Sequence, residues 1–353
     1  MIAAGGPWLY MQPMVRKLLL HDEHERLGAD FLEKEGIELV GSYGAWKEEY
    51  LQLTQKVGVA DLSYRGLLRI VGPEAASYLH GMVTSEVEKL GVGEGNLTTV
   101  VQFWMDLPGE AREAVRSHLD QYLISEDCEV QDITEAAVRI GAWGPRAAQA
   151  IEVALDAAPP TLGVHRNRFL TGPSGGVLLV GSELFGLGGY EIFLAPGGAE
   201  EGWQALVERA RAGGGGPVGD EALEALRIQR GIPRWGRELA EDTIPLEANL
   251  KEAISYTKGC YVGQEVIAKA TYRGAVRRRL VRMEVSSGAK PGAALTEGEK
   301  QVGRLTSVLD PHPEGGASLA LGYLRRDRLE VGRVFPLEGG GEAKVIWVPE
   351  EDA

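Results

Sequence analysis

The chain has 353 residues, 44% of them apolar and 25% charged, which suits ordinary globular domains and excludes a disordered or fibrous polypeptide. A formal net charge of −14 at pH 7 argues against a dedicated duplex-DNA binder, whose footprint would be basic. Two cysteines, Cys128 and Cys260, cannot form a disulfide framework, and no apolar run is long enough to span a membrane.

Residues Met1 to Val15 are fairly apolar, but Pro7 and Pro13 interrupt them and no basic region precedes them, so the expectation is a cytoplasmic protein with a loose N-terminal extension. Arg16 to Phe31 reads as a helix whose polar face carries His21 and His24 among Asp22, Glu23, Glu25 and Arg26. That face needs no metal to explain it, and no metal site is assigned. Ala45 to Thr54 has helical spacing. Gly66 to Val71 reads as a strand, Gly72-Pro73 as a turn and Glu74 to Met82 as a helix with Pro73 at its start. The same order recurs in Val138 to Ala142, Gly144-Pro145 and Arg146 to Leu155, which points to a duplicated βα module. The glycines of Gly91-Val92-Gly93-Glu94-Gly95 lack the strand and helix needed for dinucleotide binding. Trp104, Trp143 and Cys128 read as core residues.

Further on, Gly176 to Val180 and Tyr190 to Leu194 read as strands, and Glu200 to Arg211 and Glu221 to Gly231 as helices. From Leu280 onward, short alternating runs separated by Gly and Pro favour a small all-β domain, with the boundary near Ala275. The expectation is an α+β region over 1–275 and a C-terminal β-barrel over 276–353.

The most specific signal is Lys258-Gly259-Cys260-Tyr261-Val262-Gly263-Gln264-Glu265, followed by Val266-Ile267-Ala268-Lys269 and Tyr272-Arg273-Gly274-Ala275-Val276. It resembles the signature of the YgfZ family of folate-binding proteins, relatives of the aminomethyltransferase (T-protein) of the glycine cleavage system. Gly231-Ile232-Pro233-Arg234-Trp235-Gly236, Ile244-Pro245-Leu246-Glu247-Ala248 and Gly58-Val59-Ala60-Asp61-Leu62-Ser63 are similar to stretches shared by both branches. The resemblance implies two ferredoxin-like α+β modules in a folate-binding cloverleaf plus a C-terminal β-barrel, with tetrahydrofolate as the bound cofactor. It also implies support for iron–sulfur cluster assembly or repair, with iron–sulfur proteins and tRNA-modifying enzymes as partners. Aminomethyl or related one-carbon transfer is the alternative.

One departure weakens that alternative. After Gly95-Asn96-Leu97-Thr98-Thr99-Val100, relatives carry a hairpin with an acidic residue; here Gln102-Phe103-Trp104-Met105-Asp106 follows at once, leaving roughly 15 to 20 residues absent, about one hairpin. The T-protein aspartate belongs to that hairpin, and Asp106, on the following strand, is not its substitute.

By the same resemblance Glu191, next to Tyr190, matches a carboxylate that accepts the amino and ring N–H groups of the pterin; the plain reading is an outward-facing strand residue. Arg227, three residues before Arg230, is similar to a pocket arginine facing the anionic glutamyl tail; the plain reading is a solvated helix residue. Cys260 stands before a helix expected over Gly263 to Ala270, with Lys258 and Lys269 close by, an arrangement that favours a functional thiolate over a buried structural thiol. The run Arg277, Arg278, Arg279 and Arg282 reads as a solvated face at the domain junction or a site for an anionic partner.

Overall fold

The computed structural model describes residues 15–91, 94, 100–101, 103–155, 158–172, 175–183, 186–272 and 276–350. The N-terminal extension and most of the Gly91–Gly95 loop lie outside the described residues.

The chain opens with helix α1 (His21–Arg26), the hairpin β1 (Asp30–Lys34) and β2 (Ile37–Ser42), helix α2 (Trp46–Gln55) and strand β3 (Gly58–Asp61). The long helix expected over Arg16 to Phe31 is thus corrected to a short one. Leu18 and Leu20 are buried while Leu19 is exposed, a period-two pattern that cannot wrap a helix, and Gly28, at φ +79°, ends α1.

The first module runs β4 (Gly66–Val71), α3 (Ala75–Met82), β5 (Val100–Val101), β6 (Trp104–Leu107), α4 (Arg112–Tyr122) and β7 (Glu129–Asp132). Its sheet order, β5-β6-β4-β7 with antiparallel neighbours, is the ferredoxin-like arrangement. The edge strand β5 has only two residues, where relatives are expected to carry a hairpin; residues 95–99 and 102 of that region lie outside the described residues.

The second module runs β8 (Val138–Trp143), α5 (Ala147–Ala154), β9 (Asn167–Gly172), β10 (Gly175–Ser182), β11 (Gly189–Leu194), α6 (Ala199–Ala212) and β12 (Gly216–Pro217). Its sheet order is β12-β3-β8-β11-β10-β9. The place beside β8 that β7 takes beside β4 is filled by β3, a strand that precedes the first module, and β12 pairs parallel with β3. The two modules are therefore interlocked through the chain itself. Both Gly-Pro turns sit at the same point, between first strand and first helix. At Gly72 (φ +130°) a Cβ would lie 2.3 Å from the Asp127 carbonyl oxygen, and at Gly144 (φ +113°) 2.5 Å from that of Leu53, so only glycine fits either turn.

Helix α7 (Asp220–Arg230) and a long irregular connection lead to α8 (Gln264–Tyr272) and then to strands β13 (Arg278–Val285), β14 (Ala294–Glu297), β15 (Lys300–Leu309), β16 (Ser318–Arg325), β17 (Val334–Pro336) and β18 (Glu342–Trp347). These six strands form one sheet in the order β14-β15-β16-β13-β18-β17, which a bridge between Leu295 and Leu337 curls into a nearly closed barrel. Closure removes exposed sheet edges. The architecture is thus α+β with a C-terminal barrel. A shared core, including Leu62, Trp143, Leu226, Leu280 and Tyr323, joins barrel, α7 and the second module. Full burial of each large apolar side chain there is worth roughly 1.5–3 kcal/mol.

Candidate functional site

Strands β8 and β11 lie side by side, and their alternation sorts side chains to two faces. Ile192 and Leu194 enter the core under α5 and α6, whereas Glu191 and Phe193 point the other way, with Phe193 packing on Leu67, Trp104 and Ile133 of the first module. Glu191 is therefore not the outward-facing residue of the plain reading. It is buried at the junction of the two modules. Trp104 is only half-buried and meets the Phe193 ring edge-on at 6.1 Å; Trp143 is fully buried.

Around Glu191 runs a chain of charge-assisted hydrogen bonds. Oε1 accepts from the Ser182 hydroxyl at 3.0 Å, and Oε2 accepts from Arg139 Nε at 2.8 Å and from Arg139 Nη2. Arg139 Nη1 donates to Asp106, which Arg65 clamps bidentately, both bonds at 2.7 Å. Ser63 Oγ accepts the backbone N–H of Arg139, fixing the strand that carries the guanidinium. Burial pushes the Asp106 carboxyl up, but Arg139 and then Arg65 outweigh it and hold the group below the ordinary aspartate range. Burial would lower the Arg139 guanidinium, yet Asp106 and Glu191 together raise it. Tyr64, beside this cluster, is pushed up to about 12 by burial and by Asp220. His165, held at φ +61°, is depressed by burial and feels the Glu191 charge in the opposite sense.

The other expected site residues are placed elsewhere. Tyr190 is on the face opposite Glu191, where it lines a cleft of about 380 Å³ with Gly144, Leu162 and Val164, so the two side chains do not grip one ligand edge from the same side. Arg227, expected to meet an anionic tail, is buried and all five of its N–H donors are engaged. Nε and Nη2 bind Glu224 at 2.8 and 2.5 Å, Nη1 binds Glu238 at 2.8 Å and the Ile232 carbonyl at 2.7 Å, and Nη2 also binds Ser307 at 2.7 Å. It is a joint between α7 and the barrel, not a ligand arm, and Arg230 beside it is exposed. Of the basic run, Arg278 pairs with Glu247 at 2.9 Å, Arg279 donates to the Leu246 carbonyl and Arg282 donates to the Gln229 carbonyl at 2.7 Å, so these three hold the domain seam.

Lys258 is likewise structural. Its ammonium donates to the carbonyls of His80, Val83 (2.7 Å) and Ser85 (3.0 Å), at and beyond the C-terminal end of α3, and lies 5.0 Å from the Tyr261 ring. Burial lowers its pKa, and no N–H is left over for catalysis. Cys260, two residues on, is exposed in the loop that Lys258 pins, just before Gly263 (φ +84°) and α8. Cys128 is half-buried, and burial pushes its thiol up. Among the described residues, His21, Asp22 and Glu25 cluster closely enough to hold a metal, but His21 already engages Glu38 at 2.8 Å and Lys17 at 3.2 Å. His24 is a correction: it does not belong to a polar face but is wholly buried, bound to Asp61 at 2.9 Å and to the Tyr43 hydroxyl at 2.8 Å.

Sequence reasoning missed Arg139, Arg65 and His165, and set Asp106 aside as no substitute for the transferase aspartate without giving it this buried role. One signal was available: an arginine inside the otherwise apolar strand Val138–Trp143 needs a buried counter-charge.

The chain matches the GCVT N-terminal domain family model over residues 20–103 and 100–258, and the CAF17 C-terminal beta-barrel domain model over 277–351. It is 30% identical to a putative chloroplastic transferase of Arabidopsis thaliana over 297 residues, 78% of this chain and 67% of that one. It is 28% identical to an aminomethyltransferase of Rubrobacter xylanophilus over 359 residues, 92% of this chain and 94% of that one. Among solved structures, the glycine cleavage system aminomethyltransferase T from Bartonella henselae superposes with a TM-score of 0.81 at 22% identity, covering 94% of this chain and 96% of that one, which is a likeness of fold. The chain belongs to the GCVT-like family of folate-binding proteins and carries the CAF17-type barrel, the domain pairing of the YgfZ/CAF17 branch.

Proposed function

We propose that this protein binds tetrahydrofolate at the junction of its two modules, with Glu191 receiving the pterin edge, and that it supports the assembly or repair of iron–sulfur enzymes, including those that modify tRNA, through the thiol of Cys260. The observation that carries the folate half is the burial of Glu191 between the modules, with a carboxylate oxygen aimed at donor N–H groups rather than at water. The exposure of Cys260 in a loop fastened by Lys258 supports the accessory half, because a sulfur that must meet a partner has to be reachable. Bound tetrahydrofolate would supply a redox-active, carbon-carrying pteridine; this chain's own residues bind and orient it.

Aminomethyl transfer is the second reading, favoured by the near full-length similarity to aminomethyltransferases. Against it stands the short sequence between Gly95 and Trp104, which lacks the hairpin expected to carry the transferase aspartate. The reading is tested with Cys260→Ala in cells: iron–sulfur enzyme activities should fall while the pure variant keeps the wild-type affinity for tetrahydrofolate by calorimetry. Unchanged cluster enzymes overturn the accessory role. Formation of methylene-tetrahydrofolate from an aminomethyl donor, well above background, would favour the transferase.

A further inference from the structure

The hollow bordered by Ser63, Arg65, Leu67, Thr134, Arg139 and Phe193 measures about 10 Å³. That is room for about one water, far below the roughly 300 Å³ at which small-molecule pockets begin. The side chain that closes it on the Glu191 side is Arg139. Its Nε and Nη2 present two N–H donors to Glu191, both on Oε2; the 2-amino and N3–H groups of a pteridine likewise offer two adjacent N–H donors, which a carboxylate can accept one on each oxygen.

We propose that Arg139 is an internal stand-in for the ligand: it holds Glu191 and must release it before a pterin can enter, so that Arg139 sets the affinity of the site. This rests on the tetrahydrofolate reading above. The surroundings make the release feasible. Arg139 keeps a second partner, Asp106, through Nη1, and its guanidinium lies 5.3 Å from the Phe193 ring, so on letting go of Glu191 it remains paired. Asp106 in turn is clamped by Arg65 whichever way Arg139 turns. Glu191, the one member that gives up its cation, gains the ligand's donors and keeps the Ser182 hydroxyl. The closed and the ligand-bound arrangements therefore differ by one ion pair, and in both the Glu191 carboxylate keeps hydrogen-bond donors, whereas the open form without ligand leaves it with the Ser182 hydroxyl alone and is for that reason a minority. A site whose competent form is a minority binds weaker by the fraction that is open.

The test is calorimetric titration of the full chain with tetrahydrofolate, and in parallel with tetrahydropterin, which has the edge but no glutamyl tail. Arg139→Gln, which shortens the side chain and removes its charge, should bind both ligands about tenfold or more tighter than wild type. Arg139→Lys, which keeps a cation for Asp106 but loses the paired donors, should tighten both by a smaller factor, and it decides the matter if the Gln variant does not fold. Affinity equal to or weaker than wild type in the folded variants overturns the stand-in while leaving the folate reading intact. Absence of binding by folded wild type and variants alike overturns both.

Discussion

Replacing Lys258 by methionine separates a structural from a catalytic lysine. The substitution keeps most of the apolar stem beside Tyr261 and removes the ammonium, so the carbonyls of His80, Val83 and Ser85 lose their common donor. Bonds from a charged donor are each worth about 1.5–3 kcal/mol. Because three of them share one nitrogen, the losses do not sum, and since the groups left behind are neutral carbonyls the expected cost is that of an unsatisfied buried acceptor, about 1–3 kcal/mol. The site also lies at the C-terminal end of α3, where the helix dipole favours a cation. Two further bonds, Ser255 N to Thr84 O and Val262 N to Gly81 O, both 2.9 Å, tie the same loop to the same segment, so the loss should spread to the backbone that presents Cys260. The assay is urea unfolding together with the rate at which a thiol reagent modifies Cys260 in a Cys128→Ala background. Lys258→Met should lower the unfolding midpoint and speed modification several-fold. An unchanged midpoint and an unchanged thiol rate, with cellular function lost, would refute the clamp and restore a chemical role for the lysine.

Two other expectations follow from the joint between α7 and the barrel. Arg227→Met leaves Glu238, only 2% exposed, without its cation and should cost about 3–5 kcal/mol, seen as a lower melting temperature and faster proteolysis of the 240–263 connection, with tetrahydrofolate affinity unchanged; weakened folate binding at unchanged stability would instead make Arg227 a ligand residue. Against the upward push of burial, hydrogen bonds and charge from Arg227, and then Arg234, pull the Glu224 carboxyl from 4.5 down to about 2. A depressed folded value stabilises above the unfolded one and is lost as pH falls through the folded one. Glu224 therefore contributes about 3 kcal/mol at neutral pH that disappears between about pH 4.5 and 2, and melting curves over that window should be flatter for Glu224→Gln than for wild type; parallel curves would disprove the assignment.

Local chemistry made the elements readable and left their partners hidden. Period-two alternation in Tyr190–Leu194 correctly opposed Glu191 to Tyr190 and Ile192, and the two Gly-Pro turns marked the start of both modules, because φ preference and side-chain period are properties of a few adjacent residues. Strand β3 could not be assigned to the second module from its sequence, since it joins β8 across the whole of the first, and hydrophobic pattern does not carry sequence separation. The same limit governs the charged residues. Arg227 on a helix and Lys258 beside a cysteine look like ligand arms when only their neighbours in sequence are counted; their acceptors, Ser307 and the carbonyls of residues 80–85, come from other elements.

Three arginines, Arg139 and Arg227 in the interior and the partly buried Arg234, share a design that bears on function. Arg139 contacts Asp106 and Glu191, Arg227 contacts Glu224 and Glu238, and Arg234 contacts Asp220 and Glu224. Each cation is held by two carboxylates, so in an acidic chain the interior is locally balanced rather than basic. Two of these joints fasten rigid parts: Arg227 and Arg234 tie α7 to the turn after it, and Arg227 reaches the barrel. Of the three, Arg139 is the one that spans the face where the two modules meet beside a hollow, and its partner Asp106 is also clamped bidentately by Arg65. Its place beside the hollow makes the Arg139–Glu191 pair the one among the three that a ligand can compete with, and this placement sets the junction apart from the joints that merely hold the fold.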